Sequence, residues 1–189
     1  MHKYSAFLII ILFLAPGRQN KTVAMNTAGD KWQAISKTKI PNHTTAPEET
    51  FIDSLHIGRK TFNKIMLSKY RPDDSIYVII SFFSRQNKKW ILKNKFRFEK
   101  DALSGCDPKI SDFNNDGLND FTYVSDVATR GANEVRRLFI YDRVHDRLIY
   151  IQNAEDYPNM LYNKDLNCID AFLVYGGCMT VFLKIHGTG

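Results

Sequence analysis

SIYVIISFFSRQNKKWILKNKFRFEK, residues 75–100, carries the clearest structural signal in the chain. Residues 75–83 form a continuous apolar run rich in β-branched and aromatic side chains, the pattern of a strand buried on both faces. Residues 85–88 (RQNK) supply a turn. From residue 89 to 100 the pattern alternates: Trp90, Leu92, Phe96 and Phe98 fall on one side, and Lys89, Lys93, Lys95 and Arg97 on the other. That is a period-2 strand with a wet basic face. Two strands of this kind joined by a short turn make an antiparallel hairpin, and they set the texture for the rest of the domain.

Working outward, further strands are predicted at residues 62–70, 121–125, 135–142 and 147–152, the last two joined by a turn at 143–146. A final pair, residues 169–175 and 179–185, meets around Gly176-Gly177, a hairpin signal that sets Cys178 opposite Tyr175. Helical periodicity is weak, with residues 50–60 the only short candidate. About eight strands at short spacing predict an all-β fold, a small antiparallel β-sandwich or barrel-like domain.

At 189 residues the chain holds one ordinary domain with an extension, and 44% apolar and 13% aromatic residues can build a core. Residues 1–24 read as a secretory signal peptide: Lys3 gives a positive start, residues 6–15 are uninterruptedly apolar, and Pro16-Gly17 breaks any helix. Ten residues rise only about 15 Å as a helix, too short to span a bilayer. Export to a periplasmic or extracellular location is expected, with no transmembrane span once the signal is removed. Residues 25–50 read as a polar linker, and 51–189 as the β-rich domain. Removing Lys3, Arg18 and Lys21 from the formal charge of +6 leaves +3. Nucleic-acid binding would ask for a stronger and more concentrated charge, so it is not expected. The basic stripe on residues 89–97 reads either as a solvated, edge-protecting face or as a contact for an anionic component of the cell envelope.

Three cysteines, Cys106, Cys168 and Cys178, would allow one disulfide in an oxidising compartment. The hairpin around Gly176-Gly177 disfavours Cys168–Cys178, so the expected bridge includes Cys106.

DFNNDGLND, residues 112–120, is the motif with chemistry in it. With Asp112 as position 1, Asn114 is 3, Asp116 is 5, Gly117 is 6, Leu118 is 7 and Asp120 is 9. Side-chain oxygens at 1, 3, 5 and 9, a backbone carbonyl at 7 and a glycine at 6 form the first nine positions of an oxygen-donor Ca2+ loop. Gly117 can adopt the positive φ that turns the chain back on itself. Without a cation three carboxylates in one loop repel. Position 12, where an EF-hand places a bidentate glutamate, is Tyr123, so this is not an EF-hand. A plain Asx-rich turn uses the same residue types without that spacing. Ca2+ is the expected ligand of Asp112, Asn114, Asp116, Leu118 and Asp120. Affinity near the 10⁻⁴ to 10⁻³ M of extracellular modules is expected.

The loop resembles the DxDxDGxxD loops of FG-GAP and related secreted β-domains. From Cys106 to Ile185 the order of features is similar to a family of small exported bacterial proteins. That family is related to periplasmic lysozyme inhibitors and to the immunity proteins that neutralise secreted cell-wall hydrolases. The shared features are this loop, a strand from Phe121, GANE at 131–134, LFIYD at 138–142, NKDLNCIDAF from Asn163, and YGGC at 175–178. The resemblance implies an all-β domain and inhibition of a hydrolase by an inserted loop, with residues 126–134 (DVATRGANE) as the candidate. The Ser-Gly-x-Tyr motif of such inhibitors is missing, since Ser104-Gly105 is followed by Cys106-Asp107. Metalloprotease, hydrolase-elbow and nucleotide-binding motifs are also missing, and the five histidines are scattered, so no enzyme is expected. The first expectation is therefore an exported calcium-binding module of the cell envelope, and the second an inhibitor or immunity protein against a lysozyme-like hydrolase.

Overall fold

The computed structural model describes residues 46–72 and 75–185, so the expected signal peptide and most of the linker lie outside it. The described chain forms three antiparallel sheets, each from one contiguous stretch of sequence. The first is a four-stranded meander of β1 (Glu49–Asp53), β2 (Asn63–Tyr70), β3 (Tyr77–Gln86) and β4 (Lys89–Glu99). The second is a meander of β5 (Lys109–Ser111), β6 (Asp120–Ala128), β7 (Asn133–Asp142) and β8 (Arg147–Ile151). The third comprises β9 (Met160–Asn163), β10 (Cys168–Val174) and β11 (Cys178–Leu183), with β10 in the centre. The all-β antiparallel expectation holds, in stacked-sheet form. No helix of the described residues is long and apolar enough to cross a membrane.

The stack follows from side-chain alternation along the strands. On one face of the second sheet Phe121, Tyr123, Phe139 and Tyr141 pack with Ile65, Leu67, Val78, Ile80 and Phe82 of the first. Its other face presents Leu138 and Ile140 to Met160, Ile169, Ala171, Val181 and Leu183 of the third sheet. The second sheet is thus the middle layer, and β7 is buried from both sides. Polar side chains tie the first two layers together. Asp146, in the β7–β8 turn, accepts hydrogen bonds from Asn63 (3.0 Å) and the Tyr141 hydroxyl (2.9 Å) and pairs with Arg59 at 2.8 Å. Arg137 bonds the Glu99 carbonyl and the Tyr123 hydroxyl, both at 3.0 Å.

Three sequence expectations change. Residues 50–60 are not helical: β1 begins at Glu49, inside the expected linker, and pairs with β2, after which Asp53 caps the backbone N–H groups of Leu55, His56 and Ile57. β3 contributes to the core from one face only: Val78, Ile80 and Phe82 are core, while on the other face Tyr77, Ile79 and Phe83 are partly exposed and the small Ser81 is buried among its neighbours. Third, β4 does not alternate uniformly. A bulge shifts the register between Phe82 and Phe83, so that Phe82 pairs with Asn94 but Phe83 pairs with Leu92. One extra residue flips every side chain beyond it. Phe96 and Phe98 face the core, whereas Trp90 and Leu92 join Lys95 and Arg97 on the outward face. Lys93, at the bulge, leaves the stripe and pairs with Asp146 at 3.5 Å.

Candidate functional site

Residues 112–120 connect β5 to β6, with Asp120 already the first residue of β6. The loop is wound on its own side chains. The Asp112 carboxylate accepts from the N–H of Gly117 (2.8 Å) and of Asp116 (3.2 Å). Asn114 Oδ1 accepts from the Asp116 N–H at 3.2 Å, and its Nδ2 donates to the Asp116 carboxylate at 3.0 Å. Asp116 Oδ1 accepts from the Leu118 N–H at 2.8 Å. Asn115 and Gly117 take positive φ values of 60° and 83°. An asparagine and a glycine are the residues that tolerate this region.

Asp120 differs from the other two acids. It is fully buried, and its two oxygens accept the N–H of Phe113 and of Tyr141, each at 2.8 Å. Burial pushes its pKa well above the ordinary carboxylate range, and Asp116 and Asp112 push further in that direction. The two backbone N–H bonds pull the other way without prevailing. No ion pair forms between Asp112, Asp116 or Asp120 and any basic side chain among the described residues.

The loop is docked from outside as well. Gly58 donates to the Asn119 carbonyl at 2.8 Å, and Asn119 Nδ2 donates to the His56 carbonyl at 3.0 Å. Gly58 has φ 51°, and a Cβ there would meet Asn63 Oδ1 at 2.7 Å, so only glycine fits this contact.

The donor set is all oxygen, which suits a hard cation of calcium's type. Asp112, Asn114 and Asp116 lie in one turn, bonded to one another, and Asp112 and Asp116 are close enough to raise the pKa of Asp120. Leu118 is the expected carbonyl donor, with its side chain against the first core. Among the described residues no three His, Cys, Asp or Glu side chains converge as a cluster able to hold a metal. The carboxylates face the loop's own backbone N–H groups instead. Sequence reasoning missed the partners of Asp120, because Tyr141 reaches it only through the pairing of β6 with β7.

The cysteines correct the disulfide expectation, since all three are free thiols. Cys106 is buried in the first core beside Glu49, and burial, then Glu49, pushes its thiol up to about 12. Cys168 lies 3.6 Å from Asp170, and burial and that carboxylate push it up to about 11. Cys178 is exposed and pairs with Val174, not Tyr175, because the hairpin loop spans Tyr175, Gly176 and Gly177. Cys168, next to the Ile169–Leu183 pair, lies at the other end of that hairpin. Cα atoms must approach within about 7 Å to be bridged.

Residues 126–134 project from the end of the β6–β7 hairpin. Arg130 is exposed with φ 54°. Asn133, fully buried, fixes the base by bonding both the N–H and the carbonyl of Val174 at 3.0 Å. Neither protein-family models, nor curated proteins, nor solved structures give a match to this chain.

Proposed function

We propose that this is an exported β-domain whose β5–β6 loop binds calcium and which serves as a binding module in the cell envelope. The reading rests on Asp120, a fully buried carboxylate with two backbone donors and no cationic partner among the described residues. It ends a loop with oxygen donors at alternating positions. A calcium ion there would supply the missing positive charge, and Asp112, Asn114, Asp116, the Leu118 carbonyl and Asp120 would hold it.

The test is thermal unfolding of the mature chain in millimolar calcium against chelator. At the affinity expected of this loop, calcium at about ten times the dissociation constant contributes about 1.4 kcal/mol, a few degrees of Tm. Asp112→Ala and Asp116→Ala should each abolish the gain. Equal melting in the two buffers would end the calcium reading.

A second reading, inhibition of a cell-wall hydrolase, is favoured by one observation: exposed Arg130 stands on a turn whose base Asn133 locks to β10. A small cluster of side chains on a fixed protrusion is how inhibitors carry their binding energy. Lysis assays against a panel of muramidases, with Arg130→Ala as the control, separate it from the first reading.

A further inference from the structure

The inner face of the first sheet is core, but among the described residues no other sheet packs on its outer face. Registers fix what stands there in four rows across the strands. Tyr70 and Tyr77 lie at one end. Ser68, Ile79 and Arg97 follow, then Met66, Ser81 and Lys95. Lys64, Phe83 and Leu92 form the last row, with Arg85 and Trp90 beyond it. The cations lie on the rings. Lys64 Nζ is 4.6 Å from the Phe83 ring centre and 4.8 Å from that of Trp90, and Arg97 is 4.2 Å from that of Tyr77. Glu99 is the one acid in these rows, loosely paired with Arg97 at 3.4 Å. Lys64, Arg85 and Lys95 have no acidic partner among the described residues.

We infer that this face binds an acidic polysaccharide, which deepens the envelope-module reading by naming the surface and the ligand class. Edge protection accounts for Lys95 and Arg97 on β4, but not for Lys64 on β2 or Arg85 on β3, which are interior strands. From Tyr77 to Arg85 the face is about 27 Å long at roughly 3.4 Å per residue, which suits a chain more than a small anion. Two recesses of about 210 and 470 Å³ lie elsewhere, against the third sheet. A polymer reaching this face meets fixed cations first, with Leu92, Ile79 and ring edges between them. Carboxylate or phosphate groups spaced along sugars whose C–H faces are apolar match that alternation. Single-stranded nucleic acid needs open ring faces on which to stack bases. Here Lys64 and Arg97 already cover rings, and Tyr70 stacks on Tyr77 at 5.2 Å. The chain's own residues 25–45 are a poor cover by charge, with Lys31, Lys37 and Lys39 against Asp30.

Affinity electrophoresis of the mature chain through polygalacturonate, with neutral dextran as the control polymer, tests this. Retardation is expected in polygalacturonate alone, weakening as salt rises. Lys64→Glu with Lys95→Glu should cost roughly tenfold in affinity, and Trp90→Ala a few-fold, with Tm nearly unchanged. Lys164→Glu, exposed in a turn of the third sheet, should change it less than about twofold. Equal loss with Lys164→Glu, no loss in the double variant, or tighter retention by single-stranded DNA or by phosphatidylglycerol vesicles would overturn the assignment. Chelator should leave the retardation in place, so failure of the calcium loop and failure of this surface read differently.

Discussion

Asp120 and Asp146 make opposite contributions to stability as pH changes. Burial raises the pKa of Asp146, but hydrogen bonds from Ser84, Asn63, Tyr141 and Arg59 bring it down to about 2. A depressed native carboxylate adds stability that is complete above its unfolded value near 4 and is lost as pH falls towards 2. Asp120 is raised, so the native state holds its proton where the unfolded state has released it. Stability therefore declines as pH rises above about 4, by at most about 1.4 kcal/mol per pH unit for one proton. In chelator the domain should be most stable near pH 4 to 5, then decline. Asp112→Asn with Asp116→Asn removes two of the charges that add to the effect of burial on Asp120, so the decline should end at a lower pH. Melting curves from pH 3 to 8 read both effects, and a decline over an unchanged interval in the double variant would remove the contribution assigned to Asp112 and Asp116. A bound cation favours the charged carboxylate, so the calcium gain should grow over the same interval. The residue pattern of the loop was legible from spacing alone. The burial of Asp120 was not, because one of its two partner N–H groups belongs to Tyr141 on the next strand.

Among the elements, β4 shows where sequence periodicity stops short. Its alternation was plain, yet the bulge opposite Phe83 reassigns Trp90 and Leu92 to the outer face. A bulge is set by how two strands pair, and one strand's sequence does not record it. For the same reason β1, β5 and β9 went unread, being 5, 3 and 4 residues long with no periodic run of their own. The long strands were legible from their own alternation or apolar run, and the shorter β8, β10 and β11 from the turn signals at 143–146 and Gly176-Gly177 beside them. The bulge gives a direct prediction. Leu92, 49% exposed, should tolerate alanine at a cost of about 1 kcal/mol or less. Phe96, facing the core against Phe139 at 5.1 Å, should cost about 2–4 kcal/mol. Urea midpoints of the two variants decide it; equal losses would restore the uniform strand expected from sequence.

For the whole molecule, the consequence lies in the middle sheet. Phe139 and Tyr141 belong to one core and Leu138 and Ile140, their neighbours on β7, to the other. Neither core can dissolve while β7 stays ordered, so thermal unfolding should be one transition. Phe82→Ala in the first core and Ile169→Ala in the second should lower the same transition, each by about 3 kcal/mol. Two separate calorimetric peaks would contradict it. The contiguity of each sheet also gives the chain a timetable. β1 to β4 are complete by Glu99, but the surface that must cover Val78, Ile80 and Phe82 arrives with β6 and β7, ending at Asp142. At synthesis rates of about 5–20 residues per second, the finished first sheet waits on the order of 2–9 s with its apolar side bare. Its hazard of sticking to another chain is set by that delay, and a longer insertion between β4 and β6 would raise it without touching a single contact of the folded state.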